Sequence, residues 1–365
     1  MASDYQVYVS FSGETGDKIQ NVGALASDGS LLGDVLATGG PFDELRGLAF
    51  DARGRLYVAN AYKKASAVDV FSATINADGF SRDFLGTLIT PVTSRALLHP
   101  YGLAFDGDNL FVSSQDTNVV SGYAISGKKV PSAKKLPVAS YLAKLNPKGA
   151  YYGGTFVASA DPVEVRKQTP PAVDPDKGGL SAIGFVAKTA ATDDNPPEAA
   201  DEAKPAAQQA RHSVRGIAFA GKRLYVADQA KSRVGIYGHK SGTFHGWIDA
   251  AADTSAKPNA LDYPVGIAVN PADERVYIGS PKNDAIFAYD PKSGKLELVV
   301  SSATSGVPAG ALHDLSGLGF APDGTLFFGS RSQQQLYTLG ASSGAVLPFG
   351  DKLPDAPECV LVAPI

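Results

Sequence analysis

Arg215-Gly-Ile-Ala-Phe219 is a short apolar stretch built around a glycine, and Arg223-Leu-Tyr-Val-Ala-Asp228 follows it after a brief turn. This unit recurs along the chain, mostly at intervals of roughly 43 to 55 residues, which is the period of a β-propeller blade. The other copies begin at Arg46-Gly-Leu-Ala-Phe50, Tyr101-Gly-Leu-Ala-Phe105, Val265-Gly-Ile-Ala-Val269 and Ser316-Gly-Leu-Gly-Phe320. The repeat therefore predicts an array of blades rather than a chain of unrelated domains.

Each copy predicts several short β-strands separated by turns such as Asp323-Gly324 and Ser293-Gly294. The first strand of each copy is apolar almost throughout, which is typical of a strand in a sheet that is buried on both faces. A single blade cannot cover both of its own faces. The array is therefore expected to close into a ring.

The two chain ends are incomplete in complementary ways. Glu358-Cys-Val-Leu-Val362 is an inner strand with nothing after it, and Gln6-Val-Tyr-Val-Ser10 is a second strand with no first one. Residues 19–25 and 30–37 would complete that blade. Pairing the C-terminal strand with the N-terminal three leaves no free edge. We therefore predict an all-β, six-bladed propeller that forms one domain over residues 1–365.

Composition limits the possible partners and surroundings. The formal net charge is −4, so no basic field recruits nucleic acid, and no apolar run is long enough to span a membrane. One cysteine allows no internal disulfide. The start at Met1 is not a signal peptide, so it is a cytoplasmic start or follows a removed export signal; we favour export. We expect a monomer.

The repeat resembles the NHL-repeat propellers, which include peptidyl-hydroxyglycine lyases, streptogramin lyases and, more distantly, gluconolactonases. The residues that carry this resemblance are the Gly-Leu-Ala-Phe and Leu-Tyr-Val-Ala-Asp segments quoted above, and they extend over nearly the whole chain. The resemblance implies the fold. It does not choose one function, since the family contains both enzymes and binding modules.

The spacing between Gly102 and Gly216 is about twice the normal one, and residues 143–211 lack a second Leu-Tyr-Val-Ala-Asp segment. Much of this stretch is rich in Pro, Ala and charged residues, which is typical of solvated loops. We predict an insertion in the outgoing connection of the third blade. Such an insertion could cover the channel mouth as a lid or lie at the blade's edge, and both interpretations stay open.

The residue before each inner-strand glycine is expected to point into the central channel. Around the ring these residues are Arg46, Tyr101, Arg215, Val265, Ser316 and Glu358. The metal-dependent relatives place histidines, or Glu, Asn and Asp, at this position. The chain has only Glu358 there, so it departs from the family's metal pattern.

Two guanidinium groups, a phenol and a carboxylate at one channel mouth indicate an anion site. Arg46 and Arg215 are candidate substrate-binding residues, because guanidinium matches carboxylate or phosphate oxygens. Tyr101 and Glu358 are candidate catalytic residues, with Tyr101 a general base if the arginines lower its pKa. The alternative is that Glu358 bridges the two arginines as structural scaffolding.

Three histidines precede the inner strands of three blades. His99, His212 and His313 lie three or four residues before the glycines. They are candidates for general acid/base catalysis and for binding a divalent metal at the rim. The alternative is that they only hydrogen-bond the loops.

Basic residues follow several second strands and would form a rim that attracts anions, or a solvated surface. They are Lys63, Lys64, Lys231, Arg233, Lys282 and Arg331. The chain has no phosphate loop or dinucleotide fingerprint, so we expect no nucleotide cofactor.

These features favour a lyase-type or hydrolase-type enzyme whose small or peptide-like anionic substrate binds at the channel mouth. The alternatives are a non-catalytic module that binds protein or peptide, and a structural exported propeller.

Overall fold

The fold is seen in a computed structural model. It describes residues 5–11, 13, 19–37, 42–62, 66–90, 97–116, 119–126, 138–141, 143–146, 151–153, 213–239, 242, 244–251 and 258–364.

Six four-stranded antiparallel sheets form the blades of a propeller, which confirms the predicted fold. Blade 1 joins the two chain ends. Its C-terminal strand pairs with the N-terminal one, with Val9 opposite Val360. Its strands from the axis outward are β26 (Pro357–Pro364), β1 (Tyr5–Phe11), β2 (Val22–Leu25) and β3 (Leu31–Asp34).

Blades 2 and 3 follow in chain order, each running outward from the axis. Their strands are β4 (Leu45–Phe50), β5 (Leu56–Asn60), β6 (Ala67–Ile75) and β7 (Arg82–Ile89), then β8 (Pro100–Asp106), β9 (Asn109–Ser114), β10 (Val119–Ser126) and β11 (Val138–Tyr141). A small hairpin then precedes blade 4. It pairs β12 (Ala143–Asn146) with β13 (Tyr151–Gly153).

Blades 4 to 6 repeat the same order. Blade 4 contains β14 (Val214–Ala220), β15 (Arg223–Asp228), β16 (Arg233–Gly238) and β17 (Phe244–Ile248). Blade 5 contains β18 (Ile267–Val269), β19 (Val276–Ser280), β20 (Ala285–Asp290) and β21 (Lys295–Ser301), and blade 6 contains β22 (Leu315–Phe320), β23 (Leu326–Ser330), β24 (Gln335–Leu339) and β25 (Val346–Phe349). Short 3-10 helices lie at Gln229–Lys231 and Pro281–Asn283.

The hydrophobic core is divided into clusters that lie between neighbouring blades. One contains Val68 of blade 2 and Val112 of blade 3, and another contains Phe327 of blade 6 and Val9 of blade 1. The four other clusters join the remaining neighbours in the same way. Each blade thus buries its faces only against the next, which is why the ring has to close.

Aromatic residues of the repeat form several of these contacts. Tyr57 of blade 2 meets Phe105 of blade 3 edge-on, with ring centroids 4.9 Å apart. Phe111 meets Phe219 of blade 4 at the same distance. The aromatic position of the second strand thus packs on the Phe that ends the next blade's inner strand, which explains why both recur in the repeat.

Most of the predicted insertion, including residues 154–211, lies outside the described residues, and the lid interpretation stays a prediction. No helix among the residues that the structure describes is long and apolar enough to cross a membrane.

Candidate functional site

A β-bulge in the inner strands affects the direction of the residues that precede the glycines. Pairing of the first two strands shifts between Leu45 and Leu48 in blade 2, and between Val214 and Ile217 in blade 4. Blades 3 and 6 show the same shift. Such bulges redirect side chains and are common at barrel rims and beside active sites.

The inner-strand glycines bring neighbouring blades close together. A Cβ atom added to Gly47 would lie 2.3 Å from the carbonyl oxygen of Tyr101 in the next blade. A Cβ on Gly216 would lie 2.4 Å from the carbonyl oxygen of Val265. No side chain fits at these distances, so the glycines are required where adjacent inner strands meet around the axis.

The residues before the five inner-strand glycines, together with Glu358 before Cys359 in blade 1, form a ring at one end of the central channel, and we call this ring the collar. Arg46, Tyr101, Val265, Ser316 and Glu358 line a common cavity of about 350 Å³. The remaining collar residue, Arg215, lies over the Tyr101 ring, with its guanidinium carbon 4.9 Å from the ring centroid. The structure therefore brings together the six collar residues, which are far apart in sequence.

Glu358 is held by two arginines. Its Oε1 lies 2.5 Å from Arg46 and 3.0 Å from Arg331, and its side chain is only 1% exposed. The phenol of Tyr101 donates a long hydrogen bond of 3.5 Å to Glu358 Oε2. The predicted scaffold paired Glu358 with Arg46 and Arg215, whereas the structure pairs it with Arg46 and Arg331.

Arg215 is held by amides. Its Nε donates a hydrogen bond of 2.8 Å to Gln229 Oε1, and its terminal nitrogen donates to Gln115 Oε1. Both contacts are to neutral amide oxygens, and they fix the orientation of the guanidinium.

Tyr101 is a neutral phenol in this setting. Burial raises the pKa of Tyr101 well above its usual value, and Glu358 raises it further, while Arg215, Arg46 and Arg331 oppose the shift. Desolvation outweighs the attraction of the three cations. The arginines do not lower the pKa of Tyr101 below its usual value, so the phenol is protonated, and a catalytic role for Tyr101 stays a prediction.

His99 and His313 lie in separate loops. His99 is buried beside two carboxylates, with Nδ1 3.5 Å from Asp116 and Nε2 3.8 Å from Glu44. His313 is largely exposed and lies 3.2 Å from Asp284. His212 lies outside the described residues, so the structure does not test the grouping of all three histidines.

In the part of the chain that the structure describes, no group of three His, Cys, Asp or Glu side chains is placed to bind a metal ion. The proposal of a metal bound by His99, His212 and His313 stays a prediction.

The predicted basic rim contains residues in different environments. Arg331 reaches into the collar, whereas Arg233 lies over Trp247 and Lys282 over Tyr263. Lys63 and Lys64 lie outside the described residues. Among the rim residues that the structure describes, Arg331 therefore joins the candidate site.

Sequence reasoning did not single out Gln115 and Gln229. Each directly follows the second strand of its blade, the position that Arg331 occupies in blade 6. Second strands run antiparallel to inner strands and end at the face where inner strands begin. A comparison of this one position across the repeats would have found all three residues.

The comparisons with known proteins show the fold. No protein-family model matches the chain, and no curated protein matches it significantly. A chain of the nidogen/laminin complex matches with a TM-score of 0.56 and 10% identity over 99% of this chain and 98% of that one. The NHL assignment of the repeat therefore stays a prediction.

Two bacterial structures are similar to the chain. A protein of Bacteroides fragilis provisionally named a 6-phosphogluconolactonase matches with a TM-score of 0.55 and 14% identity, over 99% of this chain and 98% of that one. A protein of Bacteroides uniformis with the same provisional name matches with a TM-score of 0.54 and 15% identity, over 99% and 100%. At these identities the likeness is one of fold.

Proposed function

We propose that this propeller is a hydrolase-type or lyase-type enzyme that acts on a small or peptide-like anionic substrate at the collar. The observation that carries this proposal is the set of ionisable side chains grouped around Tyr101. The charged groups that act on its phenol are Glu358, Arg215, Arg46 and Arg331. Guanidinium groups match carboxylate and phosphate oxygens, so Arg46 and Arg215 would bind the anionic group of the substrate.

Hydrolysis of a lactone or an ester is the reaction that these groups serve best. Glu358, as carboxylate, would take a proton from the attacking water while the hydroxide adds to the carbonyl carbon. Tyr101 would give its proton to the leaving oxygen as the carbon–oxygen bond breaks. The proton on Glu358 would then return to Tyr101 across their 3.5 Å contact, which restores both groups.

Two features support hydrolysis over a redox reaction. The collar contains proton donors, acceptors and cations, and the sequence has no nucleotide-binding fingerprint. The provisional name shared by two similar structures, 6-phosphogluconolactonase, refers to lactone hydrolysis on an anionic substrate. A lactone with an anionic group is therefore the substrate class to test first.

A proton-release assay with small lactones and esters tests this proposal, with Tyr101→Phe as the key variant. The variant keeps the ring below Arg215 and removes only the proton donor. We expect its turnover to fall by about 10²–10⁴-fold. Tyr337→Phe is a matched control, since Tyr337 packs on Phe328 in blade 6. Equal turnover in Tyr101→Phe and wild type would contradict the proposal.

A second candidate function is a non-catalytic module that binds a peptide or protein across the rim. The observation that favours it is the burial of Glu358 between Arg46 and Arg331, an arrangement that also suits a structural plug. This function predicts no turnover with any substrate. Hydrogen exchange in the presence of a bound peptide would then show protected backbone amides in the rim loops rather than at the collar.

A further inference from the structure

The central cavity extends from the collar towards the opposite face of the propeller. Inner strands begin at the collar and end at that opposite face, which we call the far face. In blades 5, 6 and 1 the cavity lining continues to Val269, Phe320 and Val362, which lie at or near the ends of their inner strands. Pro271 also lines the cavity, and it is an exposed residue of the turn that follows the inner strand of blade 5. An exposed residue in the cavity wall indicates that the cavity reaches solvent at the far face.

The collar end of the same cavity is closely packed. Arg46, Arg215, Ser316 and Glu358 are each at most 5% exposed. Contacts of Glu358 with Arg46, Arg331 and Tyr101 join four blades at this level. Among the described residues, those that line the cavity include none of the residues that directly follow the second strands. The collar is therefore the inner end of the cavity.

We propose that ligands reach the collar from the far face, and that Val269, Pro271, Phe320 and Val362 select them by width at the entrance. This route does not depend on which reaction the collar carries out. One consequence rests on the proposed function. A volume of about 350 Å³ is at the small end of ligand sites, so the substrates would be small molecules rather than peptides.

The walls of the entrance are held by the core. Val269, Phe320 and Val362 are partly exposed, and each packs against a different hydrophobic cluster between blades. The ring of Phe320 meets that of Tyr277 edge-on, with centroids 4.9 Å apart. Because packed side chains have little freedom to move apart, the entrance should keep a nearly constant width and exclude wide ligands.

Cys359 serves as a reporter of access to this cavity. It is the only cysteine in the sequence, it lines the cavity and it is partly exposed. A thiol reagent can reach it through the cavity or after unfolding. Burial raises the pKa of the Cys359 thiol, which slows all reagents alike because the thiolate is the reactive form. A difference between a small and a wide reagent therefore measures access.

The experiment compares methyl methanethiosulfonate with a wide derivative that carries biotin, on the full chain, by mass spectrometry. Each rate is divided by the rate of the same reagent with the unfolded protein. We expect the small reagent to give the larger ratio. Pro271→Trp narrows the entrance and is expected to slow the small reagent about tenfold. Ala272→Trp is the matched control, since Ala272 is exposed and is not among the lining residues.

Entry from the rim is tested by Ser332→Trp, which places the same indole in an exposed turn on the collar side. If Ser332→Trp slows the small reagent and Pro271→Trp does not, the proposed route is wrong. Equal ratios for the two reagents would show that Cys359 reacts only on unfolding, and this result would also overturn it. Val362→Phe serves if Pro271→Trp does not fold. None of these measurements uses turnover, so a lack of hydrolysis would contradict the proposed function and not the route.

Discussion

Ser113 in blade 3 donates a hydrogen bond of 2.5 Å to the backbone carbonyl oxygen of Arg215 in blade 4. The same hydroxyl accepts a hydrogen bond of 2.7 Å from the N–H of Gly102. Ser10 of blade 1 makes the matching contact, at 2.5 Å, with the carbonyl oxygen of Arg46 in blade 2. Each serine thus connects two blades and fixes the backbone from which a collar arginine projects.

The equivalent position in the other second strands holds no hydroxyl. Register with the inner strands places Ala59, Ala227, Gly279 and Gly329 there. Serine therefore occurs only in the two blades that precede an arginine-bearing blade. We infer that Ser10 and Ser113 are positioning residues for the collar.

Replacement of Ser113 by Ala should weaken the site through the backbone. The Arg215 carbonyl and the Gly102 N–H would both lose a buried partner, and we expect the free energy of unfolding to fall by about 1–3 kcal/mol. Affinity for a simple carboxylate probe, butanoate, should fall as well, because Arg215 is less well held. Ser293→Ala, in an exposed turn, is the control, and equal losses in the two variants would contradict the positioning role.

Replacement of Gly47 by Ala should disrupt the ring itself. The new Cβ would lie 2.3 Å from the Tyr101 carbonyl oxygen, so the two inner strands must separate. We expect the free energy of unfolding to fall by about 3 kcal/mol or more. Gly79→Ala is the control, because no atom lies within 4 Å of its Cβ and only its positive φ is unfavourable. Chemical denaturation of the two variants should separate the effects, and equal losses would show that the clash does not matter.

The sequence predicts the blades well because each blade needs the same few residues. The glycine is required by the approach of neighbouring strands, and the aromatic of the second strand is required by the next blade's Phe. The glycine occurs in five of the six inner strands and the aromatic contact joins four pairs of neighbouring blades, so both leave a periodic signal. Pairing of the chain ends was predictable for the same reason, since the closing blade lacked only the parts found at the other terminus.

The details of the site are not periodic, and the sequence predicts them less well. The position of the collar follows from the repeat, but the pairing of Glu358 with Arg331 depends on how far one side chain reaches. The raised pKa of Tyr101 depends on burial that outweighs three cations. Neither a side chain's reach nor the extent of desolvation can be read from spacing along the chain.

Replacement of Glu358 by Gln should separate stability from anion binding. The variant removes the partner of two arginines at a buried site, and we expect the free energy of unfolding to fall by about 3 kcal/mol. Butanoate affinity should rise by about tenfold, because one negative charge no longer opposes the ligand. Denaturation and calorimetry measure the two effects, and weaker binding would contradict the account of the charge.

Cys359 should be nearly unreactive in the folded protein. Burial raises the pKa of the Cys359 thiol to about 11, so iodoacetamide at pH 8.5 should react about a hundredfold more slowly than with an ordinary thiol. Because the folded-state pKa is the higher one, this stabilisation is complete below about pH 9 and is lost as the pH rises towards 11. Mass spectrometry of folded and unfolded protein checks the rate, and equal rates would contradict the shift.

The occupancy of the collar by an anion is tested most directly by a crystal soaked in sodium bromide. Bromide is located by its anomalous scattering and needs no knowledge of the natural ligand. The account predicts a strong peak in contact with the guanidinium groups of Arg46 and Arg215. Bromide peaks at surface lysines and none at the collar would contradict it.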